Sequence, residues 1–183
     1  MVEAAQDHER ILMVGHLLIY HPAVVMSQRL LQMGELGALE YIYSNRLSMG
    51  KIRREENALW SFAPDDISVI LGLTGHMPIQ ATAVGGAYLQ PNIADVSLSN
   101  LLLDRGTRAH IFVSWLHPYK EQRLVGIGSK KMLVFEDSRP ANKLLLFDKG
   151  VAISYGVFEV AQPKGVPVEF PDGEPLRLEC EAP

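Results

Sequence analysis

After Pro78 the apolar residues of the sequence recur with a period of two, and this pattern continues as far as Tyr155. Side chains that alternate in this way are typical of strands that bury one face. The short links "DRGT", "GSKK" and "DKG" are typical of hairpin turns, which join antiparallel neighbours. The predicted strands lie near Gln80–Tyr88, Asp95–Leu103, Arg108–Trp115, Arg123–Gly128, Lys131–Glu136, Lys143–Phe147 and Val151–Tyr155.

Two helices are predicted in the first half of the chain. In "HPAVVMSQRLLQMG", Pro22 suits the first helical position and Gly34 suits the cap after the last turn. A second, short helix is predicted to open at Pro64 and to stop near Gly75. The side chains predicted to face inward are Ala23, Met26, Leu30 and Met33 of the first helix and Ile67, Ile70 and Leu71 of the second.

The remaining segments complete the predicted element order. A helix tail is predicted to end near His8–Glu9, and the continuous apolar run Ile11–Leu18 favours a buried strand. "GALEYIYSNRLSMG" alternates and is rich in tyrosine, which predicts another strand, whereas "KIRREEN" is predicted to be a charged loop. The proline-rich segment 161–176 is expected to be irregular.

Helices followed by sequential strands with short links predict an α+β fold, in which a large open, mainly antiparallel sheet carries its helices on one face. Along the strand near Arg108–Trp115, the helix-facing side chains are predicted to be Ala109, Ile111, Val113 and Trp115. The opposite side carries Arg108, His110, Phe112 and Ser114, a mixture that suits either water or a partner surface.

Length and charge restrict the classes of function. The 183 residues are enough for one domain of ordinary size, and the net charge is −4. Because no basic stripe with interleaved aromatic residues occurs, nucleic-acid binding is not expected. No apolar run is long enough to span a bilayer, and the polar start "MVEAAQDHER" does not have the pattern of a signal peptide. A single cysteine, Cys180, is consistent with the reducing cytoplasm, which is the expected compartment.

Four stretches carry a resemblance to a known family: "RILMVGHLLIYHPAV", "GELGALEYIYSNRLSMGKIRREENALWSFAPDDISVIL", "VGGAYLQPNIADVSLSNLLL" and "RAHIFVSWLHPYKEQRLVGIGSKKMLVFED". Together they resemble the second domain of the glucose–fructose oxidoreductase/inositol dehydrogenase/MocA (Gfo/Idh/MocA) family, on the branch of nucleotide-sugar 3-dehydrogenases. The resemblance implies an open antiparallel sheet that binds a sugar-type ligand and forms a subunit interface. It also implies that residues 1–18 are the last helix and strand of a Rossmann domain, and that residues 19–183 form the substrate and dimerisation domain.

The sequence departs from that family at its redox machinery. No G-x-G-x-x-G follows a strand, and "GIGSKK" lies between two strand patterns, which favours a hairpin turn. The family's E-K-P lysine has no counterpart, and its usual histidine is replaced by Asp65 in Pro64-Asp65-Asp66. We therefore expect no cofactor on this chain by itself, although full-length family members bind NAD(P). The chain is expected to be trimmed at both ends.

Asp65 and Asp66 have two interpretations. Carboxylates in the first turn of a helix complement its dipole and its free N–H groups, which is a structural role. Alternatively, Asp65 is a general base at an inherited active-site position, with His21 or His117 assisting. His16 and His21 point to opposite faces of an extended run, so no metal site is expected.

The nucleotide-sugar resemblance suggests further binding residues. Arg53 or Arg54 would hold a diphosphate, because the guanidinium fork suits that geometry. The sugar would lie against the side chains of His16, Tyr20, Asn57, Trp60 and Asp66.

Three functions remain open from the sequence. The first is a substrate domain that binds a sugar or nucleotide sugar and dimerises through its sheet face, without NAD(P)-dependent redox activity of its own. The second is a cofactor-independent enzyme (proton transfer, lyase or cyclase) that uses Asp65 as its base. The third is one subunit of a dehydrogenase whose Rossmann domain is on another chain.

Overall fold

The computed structural model of the protein describes residues 1–148, 151–154, 157–160 and 165–168. It contains three α-helices and two 3₁₀ turns in this part of the chain. The helices are α1 (Val2–Asp7), α2 (Pro22–Gln32) and α3 (Ala58–Thr74), and the 3₁₀ turns are Leu17–Tyr20 and Asp104–Gly106. The strands are β1 (Leu39–Leu47), β2 (Pro78–Gly86), β3 (Val96–Leu103), β4 (Arg108–Ser114), β5 (Glu121–Gly128), β6 (Lys131–Glu136), β7 (Leu144–Asp148), β8 (Val151–Ser154), β9 (Val157–Val160) and β10 (Val166–Pro167).

Eight of these strands form one open sheet in the order β10-β7-β6-β5-β1-β4-β3-β2, and β8 pairs only with β9. Strands β1 and β4 run parallel at the centre, while all other neighbours in the sheet are antiparallel. The predicted α+β class is thereby confirmed, and a described strand occurs near each of the seven positions predicted after Pro78, although Tyr155 lies outside the described residues. The "DKG" link and most of segment 161–176 fall on residues outside the described ranges.

Helices α2 and α3 cover one face of the sheet. The predicted alternation along β4 is confirmed, because Ala109, Ile111 and Val113 are buried beneath the helices and Trp115 is fully enclosed. The opposite face carries no helix among the residues that the structure describes. It presents a row of aromatic side chains, which includes Tyr41, Tyr43, His110 and Phe112; we call this surface the open face.

Helix α2 begins as the sequence predicts. Pro22 occupies its first position, and the His21 Nδ1 caps it by accepting a hydrogen bond from the backbone N–H of Ala23 at 3.1 Å. Gly34 follows the last turn with φ 73°, a conformation that costs glycine little. The prediction that Met33 faces inward is wrong, since this residue is the C-cap of the helix and its side chain is 72% exposed.

Helix α3 begins earlier than predicted. Its N-cap is Asn57, whose side-chain Oδ1 accepts a hydrogen bond from the Trp60 backbone N–H at 3.0 Å, and Pro64 lies inside the helix. The asparagine cap supplies the start signal that we assigned to proline, so the first turn already forms before Pro64 is reached. The predicted end is confirmed, because Gly75 adopts φ 69°.

The predicted strand at Ile11–Leu18 is wrong. Residues 10–16 have no regular structure, and the 3₁₀ turn follows them. Ile11 is 98% exposed, and Met13 and Val14 are also exposed. A buried strand needs a neighbour on the sheet, and none of the described strands pairs with this segment. The preceding helix tail is confirmed as α1.

No helix among the described residues combines the length and apolar character that crossing a membrane requires.

Candidate functional site

A cleft of about 660 Å³ lies between α3 and the sheet edge formed by β2 and β3. One wall of the cleft is formed by α3 together with parts of α2 and the first 3₁₀ turn. The other wall is the helix-facing surface of the strands. The lining residues are His16, Ile19, Gln28, Leu59, Trp60, Pro64, Ile67, Ser68, Leu71, Gly72, Ala81, Thr82, Ala83, Ser99, Leu101 and Ile111.

The walls of the cleft are mainly apolar, with a few polar groups. His16, Gln28 and Ser99 contribute side chains with hydrogen-bonding capacity, whereas the Ser68 hydroxyl already donates to the backbone carbonyl of Asp65 at 2.6 Å. Trp60 is 70% exposed and offers a large aromatic surface. Apolar walls with a small number of polar groups are characteristic of small-molecule sites.

Asp65 and Asp66 lie in the middle of α3, not in its first turn. The proposed complement to the helix dipole is therefore wrong, because that effect is confined to the terminal turn. Asp66 is buried and accepts two hydrogen bonds from Arg46 of β1, at 2.7 Å from Nε to Oδ2 and 3.2 Å from Nη2 to Oδ1. Asp66 is thus part of the link between α3 and the sheet, and it is not among the cleft-lining residues.

The Arg46 guanidinium is the centre of a charged cluster. Burial opposes its charge, but Asp66, then Asp65 and Asp137, favour the charge, and the net effect raises the pKa of Arg46 above its usual range. We call Arg46 and the groups around it, Asp65, Asp66, Asp137 and the His21 ring, the Arg46 cluster.

His21 joins this cluster through Asp137. Its Nε2 lies 3.7 Å from Asp137 Oδ1, and its ring packs against Phe135 at 5.0 Å between centroids. Lys143 Nζ donates to the same Asp137 oxygen at 2.6 Å. Burial acts to raise the pKa of Asp137, but the lysine bond and the nearby cations lower it overall. The structure therefore brings His21, Asp65 and Asp66 into one region.

His117 lies elsewhere. Its ring contacts Phe112 at 5.8 Å and Tyr119 at 6.3 Å, which places it on the open face, on the other side of the sheet from α3 and Asp65. Its Nδ1 is buried and has no hydrogen-bond partner among the described residues. His117 and Asp65 consequently do not share one site in this chain.

In the loop predicted to bind a diphosphate, Arg53 already has partners within the chain. Arg53 pairs with Glu56 at 3.0 Å, and its backbone carbonyl accepts a hydrogen bond from Gln90 Nε2 at 2.9 Å. Arg54 is exposed on the same loop. Neither arginine lines the cleft, whose lining includes only two of the predicted sugar-binding residues, His16 and Trp60.

Asn57 and Tyr20 lie near the cleft without lining it. Asn57 uses its side-chain oxygen to cap α3, and Tyr20 is 39% exposed at the end of the first 3₁₀ turn.

Three residues of this region, Gln28, Ser99 and Arg46, are not predicted from the sequence. Arg46 follows the buried Ile42 and Ser44 on the helix-facing side of β1, and a charge at such a position requires a partner on the packed helix. Gln28 and Ser99 carry no comparable signal, because their role in the cleft depends on how α2 and β3 meet α3.

No group of three or more potential ligand side chains is close enough to hold a metal in the described ranges. In the described sheet, the parallel strands β1 and β4 are joined by a connection that contains α3 and two antiparallel strands, which differs from the strand–helix–strand connection of a dinucleotide-binding fold.

No protein-family model and no curated protein matches the sequence. Solved structures are nevertheless similar. One is UDP-N-acetylglucosamine 3-dehydrogenase GnnA from Acidithiobacillus ferrooxidans, with a TM-score of 0.70 and 22% sequence identity. The superposition covers 94% of this chain and 52% of GnnA. Another is an inositol dehydrogenase homologue from Azotobacter vinelandii, complexed with NADH and myo-inositol, with a TM-score of 0.74 and 13% sequence identity. The superposition covers 91% of this chain and 45% of the homologue.

An oxidoreductase from Magnetospirillum magnetotacticum has a TM-score of 0.72 and 24% identity, and it covers 94% of this chain and 54% of its own. The chain thus spans about half the length of the structures that it matches. The fold predicted from the family resemblance, that of one half of Gfo/Idh/MocA-type oxidoreductases, is confirmed.

Proposed function

We propose that this chain is a sugar-binding and dimerising domain of the Gfo/Idh/MocA type that has no NAD(P)-dependent redox activity by itself. The observation that carries the proposal is the cleft beside α3, in a fold shared with sugar dehydrogenases. The ligand would be a sugar or a nucleotide sugar.

The cleft supports a ligand of this chemistry. The exposed indole of Trp60 offers a flat apolar surface to the C–H face of a sugar ring, while Gln28, His16 and Ser99 can bond to its hydroxyl groups. The diphosphate of a nucleotide sugar would extend towards the loop that carries Arg53 and Arg54, as the family resemblance suggests.

Two features support the absence of redox activity in this chain alone. The sequence contains no glycine-rich dinucleotide fingerprint after a strand, and Asp65 replaces the histidine that the family uses to move the hydroxyl proton. In addition, Asp65 lies close to Arg46 in the interior cluster instead of lining the cleft.

The ligand proposal is tested by isothermal titration calorimetry with UDP-N-acetylglucosamine, N-acetylglucosamine and myo-inositol as separate probes, followed by NADH. We expect heat from at least one sugar probe and none from NADH. Trp60→Ala should weaken the sugar signal at least tenfold, whereas the control Tyr119→Ala, an exposed aromatic on the open face, should not. Micromolar NADH binding, or equal sugar binding by the two variants, would count against the proposal.

The open face supports dimerisation. Tyr41, Tyr43 and Phe112 are partly exposed beside the buried Val125, and no helix among the described residues covers this apolar surface. Large apolar patches of this kind mark interaction surfaces. We expect Phe112→Lys to halve the mass of the assembly in sedimentation experiments, and an unchanged mass would contradict an open-face dimer.

One observation favours a second candidate, a dehydrogenase subunit whose nucleotide-binding domain is on another chain. Residues 11–14 expose four consecutive apolar side chains, and their backbone is not part of any described strand. Such a segment could pair with the sheet of a partner. Tandem affinity purification from the native host should then recover a nucleotide-binding protein, and its absence would favour the first candidate.

A further inference from the structure

The two edges of the eight-stranded sheet differ in how far they are protected. One edge is β10, which has two residues and contains Pro167, so it offers very little backbone for pairing. The other edge is β2, which has nine residues and, among the described strands, a neighbour on one side only, β3. A long edge strand presents a row of free N–H and C=O groups that can accept another strand.

Strand β2 also lacks the features that usually prevent such pairing. No charged residue occurs from Met77 to Ala94, and the only proline of β2 is its first residue, Pro78. Its pairing with β3 has one irregularity, between Pro78 and Gln80 at the start of the strand, and is regular from Gln80 to Gly86, so the rest of the edge is not bent away by a bulge. Seven of its nine residues are exposed on the strand, including the apolar Ile79 and Val84.

We infer that β2 pairs with the β2 strand of a second copy of this chain. In an antiparallel arrangement with the two-fold axis at Thr82, Ala81 lies opposite the partner's Ala83 and Gln80 opposite the partner's Val84. None of these pairs brings like charges or bulky side chains together, so the strand is complementary to itself. The two eight-stranded sheets then form one continuous sheet.

This pairing has a consequence for the cleft. Ala81 and Ala83 line the cleft on the helix-facing side of β2, and both are small. Across the two-fold axis, the partner's Ala81 and the partner's Ala83 continue the same surface. The clefts of the two copies therefore share one floor, and neither is fully bounded without the other copy.

A charge-complementation experiment tests the inference. Ala81→Lys with Ala83→Lys in one variant, and Ala81→Glu with Ala83→Glu in another, place like charges opposite each other in each self-paired edge. We expect each variant to sediment at half the mass of the wild-type assembly. An equimolar mixture of the two should return to the wild-type mass, because lysines then lie opposite glutamates.

The same experiment separates this interface from the open-face dimer, which the proposed function includes. Both alanines face the helix side, so the variants leave the open face unchanged, whereas Phe112→Lys alters only the open face. Loss of mass in the alanine variants alone supports edge pairing and contradicts the open-face dimer. Loss of mass in Phe112→Lys alone supports the open-face dimer and contradicts edge pairing.

Amide hydrogen exchange of the wild-type chain gives a second readout that needs no variant. Half of the β2 amides point away from β3, and we expect them to be protected above the dissociation constant and to exchange freely after dilution. Three results would each overturn the inference. They are a wild-type chain that is monomeric, alanine variants whose assembly mass is unchanged, and exchange of these amides that does not depend on protein concentration.

Discussion

Arg46 of the central strand and Asp66 of α3 form a bidentate ion pair that connects the helix layer to the sheet. The Nε–Oδ2 and Nη2–Oδ1 distances are 2.7 and 3.2 Å, and the two side chains are only 13% and 5% exposed. Because both charges are largely removed from water, each depends on the other for compensation. The pair therefore fixes how α3, and with it one wall of the cleft, sits on the sheet.

Replacing Asp66 should be far more damaging than replacing its neighbour. Asp66→Ala leaves the Arg46 guanidinium buried without its main counter-charge, and we expect the free energy of unfolding to fall by about 3–5 kcal/mol. The matched control Asp65→Ala removes a partly buried carboxylate that accepts no side-chain hydrogen bond from the described residues, and it should change stability by less than about 1 kcal/mol. Urea denaturation measures both values, and equal losses would show that the pair is not the main link.

The sheet was predictable from the sequence because its strands are local and alternate clearly. The turns between β3 and β4 and between β5 and β6 contain few residues, so each hairpin is specified by residues close in the chain. The parallel pairing of β1 with β4 was not predictable, because it joins segments that are distant in sequence and leaves no local pattern.

Gly128 and Gly126 lie on the same strand but differ in their surroundings. A Cβ at Gly128 would lie 2.1 Å from the backbone carbonyl oxygen of Leu36, and backbone cannot move away cheaply. At Gly126 the nearest atom is the Leu39 Cδ1 at 3.7 Å, an ordinary contact. We expect Gly128→Ala to cost about 1–3 kcal/mol of stability and Gly126→Ala to cost clearly less. Thermal unfolding of both variants is the measurement, and similar melting temperatures would contradict the close approach.

The start of α3 shows why the candidate site was only partly predictable. A proline at the first helical position is a common signal of a helix start, and it predicts a start at Pro64. In the structure the helix starts earlier, because Asn57 caps it. The error moved Asp65 and Asp66 into a first turn that they do not occupy. The residues that line the cleft come from several elements, and their convergence depends on the packing of α3, which no local pattern reveals.

Asn57 can be tested directly as the cap of α3. Asn57→Ala removes the acceptor for the Trp60 backbone N–H, and we expect a loss of about 1 kcal/mol in the free energy of unfolding. Asn57→Asp keeps an acceptor in the same place and should preserve most of the stability. If the alanine and aspartate variants unfold at the same denaturant concentration, the side chain does not act as the cap.

His110 should make the stability of the domain depend on pH near neutrality. Burial lowers the pKa of His110, whose Nδ1 is paired with the Tyr41 hydroxyl and whose ring stacks on Tyr43 at 5.4 Å. The other polar side chains on this side of β4 and its adjoining strands are Arg108 and Ser114 of β4 itself, Asn45 of β1 and Asn100 of β3, and none of them offers a negative charge to a protonated ring.

Because the folded-state pKa of His110 lies below the unfolded value of about 6.5, the unfolded chain binds more protons in that window. The free energy of unfolding should therefore fall as the pH is lowered through and below about 6.5. His110→Gln removes this titration while it keeps a polar group beside Tyr41, so its stability should depend less steeply on pH. Urea denaturation between about pH 7.5 and pH 5 measures the two slopes, with the exposed His8→Gln as the control. Parallel curves for His110→Gln and the wild type would show that the ring is protonated equally well in the folded and unfolded chain.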